Sequence, residues 1–77
     1  MPRNDIRLRT RLIVKRGSMF LVGKDLFGKL RWSDSPYDAW YTRDMDVAEN
    51  VAHAIGGDLW LFNNVIGEAV ELSAHAS

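Results

Sequence analysis

The side chains able to do chemistry in this 77-residue chain are few, and they are badly spaced for it. Histidine, the commonest acid–base residue, occurs twice, as His53 and His75. His53 sits between Ala52 and Ala54 in a stretch with helical periodicity, and His75 lies in a small polar tail. The context of neither offers a partner at a recognisable catalytic spacing. No Gly-x-Ser-x-Gly elbow is present, and none of Gly23, Gly28, Gly56, Gly57 or Gly67 leads into the Gly-Lys-Ser/Thr of a phosphate loop. The acids Asp34, Asp38, Asp44, Asp46 and Glu49 do not fit the alternating ligands and central glycine of a calcium loop. Cysteine is absent, which removes thiolate nucleophiles, disulfides and thiolate metal sites together. The expectation is a protein with no catalytic residue, no metal and no cofactor, acting by binding.

The charges suggest where. Up to Trp32 there are nine basic residues and two acids, a net of +7; from Ser33 onward there is one basic residue, Arg43, and eight acids, a net of −7. Such asymmetry inside a neutral chain points to charged partners, unless the two halves neutralise each other in space. Two candidate surfaces follow. The basic one is Arg7, Arg9 and Arg11, on one side of an alternating segment and about 6–7 Å apart along it, continued by Lys15 after Ile13, with Arg31 beside Trp32 on a neighbouring strand. Arginine rows with an adjacent aromatic suit a phosphate backbone or a stacked base; the structural alternative is an edge strand kept from aggregating by its charges. The acidic one gathers Asp34, Tyr37, Asp38, Trp40, Tyr41, Asp44, Asp46 and Glu49, aromatic anchors among carboxylates that would seek a basic protein patch. Here the structural alternative is that the aromatics are core lids and the acids helix caps.

The elements that must position these residues are readable. Ile6 to Lys15 alternates with period two, a half-buried strand. Arg16-Gly17-Ser18 turns it into Met19–Val22. Gly23-Lys24-Asp25 and Gly28 bracket Leu26-Phe27 as a second hairpin loop before a third strand over Lys29–Trp32, which Ser33-Asp34-Ser35-Pro36 ends. Trp40 is expected to cover the sheet or the helix start. Asp44 or Asp46 caps a helix, with Asp46 and Glu49 at capping-box spacing. Val47, Val51 and Ile55, with Ala48 and Ala52, form its apolar stripe, and Gly56-Gly57 stops it. Asp58–Phe62 is a fourth strand, Asn63-Asn64 a bulge or turn, and Val65–Leu72 a fifth strand weakened by Gly67. The fold class is therefore α+β, an antiparallel sheet of four to five strands with one helix packed across it, in the order β-β-β-α-β-β. A single domain over 1–77 is expected, its tail 73–77 frayed.

A chain 47% hydrophobic and 26% charged has the make-up of a folded domain, not a disordered one. At this length the core only roughly balances conformational entropy, so pairing with a second copy is a real alternative. No signal peptide or membrane span is recognisable, and a cysteine-free chain is at ease in a reducing cytoplasm.

One stretch resembles known proteins. Thr42-Arg43-Asp44, Ala48, Ala52, Ile55-Gly56-Gly57 and Leu59-Trp60-Leu61 are similar to the helix start, alanine stripe, Gly-Gly stop and final strand of small phage and prophage α+β proteins, a group that includes the anti-CRISPR inhibitors. The resemblance covers about half the chain, and no functional residue transfers through it. It implies a non-enzymatic phage or mobile-element protein that inhibits a CRISPR-Cas effector complex, or another host protein, by direct binding in the bacterial cytoplasm. The alternatives are a small nucleic-acid-binding protein using the basic strand face and a structural homodimer.

Overall fold

The computed structural model describes residues 10–72. The tail expected over 73–77 and the start of the first strand expected from Ile6 lie outside them. Strands β1 (Thr10–Arg16), β2 (Met19–Lys24) and β3 (Leu30–Ser33) are followed by a 3-10 turn, Pro36–Asp38. Helix α1 (Met45–Ile55) and strands β4 (Asp58–Asn63) and β5 (Glu68–Glu71) complete the chain order. All five strands form one antiparallel sheet in the order β3-β2-β1-β4-β5. The α+β class and the β-β-β-α-β-β order are those the sequence predicts.

Strand β1 lies in the middle of the sheet, which rules out the charged-edge alternative. It pairs with β4 from Thr10 to Lys15 and with β2 at Lys15 and Arg16. Both of its faces bury apolar residues. Leu12 and Val14 sit in clusters with Ala48 and Ala52 of α1, while Ile13 sits in another with Phe20, Ala39 and Phe62. The row of basic residues expected on the second face is thus interrupted by a residue with no exposed surface. Ile13, Val14 and Phe62 are the largest side chains wholly removed from water, and truncating any of them would cost about 2–5 kcal/mol.

Past their shared turn, β1 and β2 diverge, and the segment leading to α1 fills the gap. The Trp40 N–H donates to Leu21 O at 2.8 Å, and Leu12 and Thr42 exchange backbone bonds of 2.9 and 3.1 Å. Ala39 enters the cluster on one side of the sheet, whereas Trp40 packs against Val14, Leu21 and Ala52 on the other. Trp40 is therefore the cover the sequence suggests.

Helix α1 is capped by Asp44, whose Oδ1 accepts from the N–H groups of Asp46 (3.0 Å) and Val47 (3.3 Å); the Asp46–Glu49 box is not the cap. The stripe is centred on the buried Ala48 and Ala52, with Val51 and Ile55 at its margin, and this rotation leaves Val47 exposed. The short methyl groups bring the helix close to the sheet. Gly56 ends it at φ 70°, with Gly56 N–H to His53 O (3.3 Å) and Gly57 N–H to Ala52 O (2.8 Å), the paired bonds of a Schellman stop. A Cβ at Gly57 would lie 2.9 Å from Val14 Cγ1 and 3.0 Å from the Lys15 carbonyl oxygen. Strand β5 starts later than expected. Asn63 Oδ1 accepts from Val65 (2.9 Å) and Ile66 (3.3 Å), and Gly67 N–H donates to Asn63 O at 2.8 Å, so 64–67 form the turn.

Candidate binding surfaces

Opposite α1 the sheet carries Arg11, Lys15 and Arg31. Arg11 and Lys15 share β1 with the inward Ile13, and Arg31 alternates with Leu30 and Trp32, which join the cluster on the helix side. The cations rest on rings. The Arg11 guanidinium lies 4.1 Å from the Tyr41 ring centre, and Lys15 Nζ lies 4.3 Å from that of Trp60 and 5.3 Å from that of Phe20. Each such stack contributes about 0.5–1 kcal/mol at an exposed site. Arg11 Nε and Trp60 Nε1 are buried without a hydrogen-bond partner among the described residues. Arg7 and Arg9, the rest of the predicted row, lie outside the described residues.

On the helix side, Arg16 lies 4.5 Å over the Trp32 ring and donates to Ile55 O at 3.0 Å, meeting a carbonyl freed at the helix end. Arg11, Lys15 and Arg16 therefore place their charge against aromatic rings.

The acidic and aromatic residues do not form one patch. Asp34, Tyr37 and Asp38 belong to the 3-10 turn region, where the Tyr37 ring meets Phe62 edge-on at 5.0 Å and Ser33 Oγ donates to Asp38 Oδ2 at 3.3 Å. Trp40 is half-buried in the helix-side core, and Tyr41 lies under Arg11. The Asp44 carboxylate is occupied as a cap. Asp46 and Glu49 stand exposed on the first half of α1.

What the structure adds to Glu49 is a groove. A cavity of about 520 Å³ opens between α1 and the β4–β5 side of the sheet, lined by Met45, Glu49, Ala52, Gly57, Asp58, Leu59 and Leu72. Its walls are mostly apolar, and its charged lining residues are both acids. Met45 is 45% exposed and Leu72 40%, so the apolar lining is open to water. That volume falls in the range of pockets that take a sizeable apolar group. Met45, Leu59 and Leu72 come from three parts of the chain, and no local pattern joins them.

The second unexpected feature is the β2–β3 loop. Leu26 is 98% exposed and Phe27 88%, the most exposed large apolar side chains described. The loop is nonetheless firmly tied. Asp25 Oδ1 accepts from Phe27 N–H (2.8 Å) and Lys29 N–H (2.9 Å), while Asp25 N–H donates to Lys29 O (2.9 Å) and Gly28 N–H to Asp25 O (3.1 Å). Lys24, Lys29 and Arg31 are exposed around it. The signal was present in sequence: an apolar pair between glycines and lysines has no core to join.

Compared with protein-family models, with curated proteins and with solved structures, the chain matches none. Among the described residues, no three of His, Cys, Asp or Glu converge to hold a metal ion, and no helix is long and apolar enough to cross a membrane. His53 is exposed on α1.

Proposed function

We propose that the chain is a non-enzymatic interaction protein of phage or mobile-element origin that inhibits a CRISPR effector complex by direct binding. The observation that carries this reading is the apolar groove between α1 and β4–β5, open at Met45 and Leu72 and bearing Glu49 and Asp58. An apolar floor with acidic margins is suited to a segment that presents an aliphatic or aromatic anchor beside lysine or arginine. Effector complexes hold nucleic acid in positively charged channels, which would supply the lysine or arginine of such a segment. The resemblance of the 42–61 stretch to small phage proteins supplies the biological class.

Biolayer interferometry of the immobilised chain against purified effector complexes tests this. The expected result is binding to at least one complex that weakens about tenfold or more in a Met45→Asp, Glu49→Lys variant. Equal binding by that variant, or none by the parent, would count against it.

A second reading is nucleic-acid binding by the face opposite α1. It is favoured by Arg11, Lys15 and Arg31 sharing that face with Trp60 and Tyr41. Against it, the rings lie beneath the cations instead of open to a base.

A further inference from the structure

The molecule carries a projecting apolar tip with a basic collar, Leu26 and Phe27 between Lys24 and Lys29, and also an apolar groove with an acidic margin, Met45 and Leu72 with Glu49 and Asp58. We infer that the two fit one another in separate copies, so that the tip of one copy seats in the groove of the next. This rests on the reading of the groove as a binding site and names an occupant for it.

Three observations support the pairing. The first is complementarity in charge and polarity. The charged residues lining the groove are both acids, whereas around the tip Lys24, Lys29 and Arg31 outnumber Asp25, whose Oδ1 is turned inward to the Phe27 and Lys29 N–H groups. The division of charge along the sequence acquires a physical meaning here, because the tip belongs to the +7 part and the groove to the −7 part. Among the described residues, Lys24 and Lys29 make no ion pair within their own chain, which leaves them free to meet carboxylates of another.

The second is placement. The tip projects between β2 and β3, at one edge of the sheet order, while the groove lies toward β5, the opposite edge. A tip in one copy cannot reach its own groove, and the near-complete exposure of Leu26 and Phe27 agrees with that. The contact is heterologous, joining two different surfaces.

The third is rigidity. An apolar loop with no partner gains nothing from being fixed, yet four hydrogen bonds through Asp25, Phe27, Gly28 and Lys29 fix this one. Preorganisation lowers the ordering cost of docking. A groove filled by a neighbour's Phe27 is closed to any other partner, so self-association and partner binding exclude each other.

Two single substitutions at exposed positions test this without threatening the fold. Phe27→Asp removes the tip and keeps the groove; Met45→Asp does the reverse. In sedimentation equilibrium at low salt, the parent's average mass should rise between about 10 µM and about 1 mM, the span expected of a small transient contact. Each variant alone should remain monomeric. An equimolar mixture of the two should form a heterodimer and stop there, since it has one working tip and one working groove. Raising the salt should weaken association of the parent, as screened Lys–Glu pairing requires.

A parent that is monomeric throughout overturns the inference, and so does a mixture that fails to pair. If the parent is monomeric yet still binds an effector through Met45, the self-contact fails and the proposed function stands. If it self-associates yet ignores every effector, the converse holds.

Discussion

The Asp25 carboxylate accepts the backbone N–H of Phe27 at 2.8 Å, and the Phe27 ring held by that turn is 88% exposed. A polar side chain here orders an apolar one against water. The same Oδ1 takes the Lys29 N–H, so a single carboxylate closes the loop on both sides of its tip.

Replacing Asp25 by Ala should loosen that tip. Without a carboxylate to accept the two N–H groups, global stability should fall by about 1 kcal/mol, and amide exchange at Phe27 and Lys29 should accelerate well beyond the change at β1. Unchanged exchange at those two amides would show that the backbone bonds suffice to hold the turn.

Gly57 should tolerate nothing larger. Gly57→Ala pushes a methyl group against Val14 and the Lys15 carbonyl and should destabilise by about 1–3 kcal/mol, as overpacking does. Gly56→Ala should cost about 1–2 kcal/mol for a different reason, its left-handed backbone. Thermal unfolding separates both from neutral change, since about 4–8 °C per kcal/mol is expected for a domain this small.

Arg16 links helix to sheet through Ile55 O and the Trp32 ring. Arg16→Ala should lose about 1–2 kcal/mol from the stack and the hydrogen bond together. Arg16→Lys should recover only part, because lysine lacks the planar fork. Chemical denaturation of the three proteins gives the comparison, and equal midpoints would mean that Arg16 adds nothing to the packing of α1.

Nucleic-acid binding makes a separate prediction. Should the face opposite α1 grip phosphates, mobility shifts would appear at low salt, fade steeply by moderate salt through counterion release, and disappear in an Arg11→Ala, Lys15→Ala variant. With those cations resting on Tyr41 and Trp60, the expected outcome is no shift at any salt concentration.

Much of the architecture was legible because it is written locally. Alternation marks β1, the aspartate before Met45 caps α1, and Gly56-Gly57 ends it at a left-handed turn. The faces were less legible. Ile13 looks like one break in an arginine row until Phe20, Ala39 and Phe62 cover it, and that packing depends on a connection that threads between β1 and β2 through bonds to Leu12 and Leu21. Periodicity centred the helix stripe on Val47, Val51 and Ile55, because it weighs hydrophobic size; close approach to the sheet favoured Ala48 and Ala52. Of the candidate site, Glu49 was visible as a charge. The groove beside it was not, since Met45, Leu59 and Leu72 meet only when β4 and β5 lie next to α1.

Inhibition by occupancy of the groove is read directly by target-DNA or target-RNA cleavage with purified effector complexes. Titrating the parent should abolish cleavage by at least one complex, and the Met45→Asp, Glu49→Lys variant should need about tenfold more protein or fail altogether. The tipless Phe27→Asp variant should inhibit at least as well as the parent, its groove being free of neighbours. Cleavage untouched by the parent in every complex, or inhibition unaffected by loss of Met45 and Glu49, would refute occupancy of the groove as the mode of action.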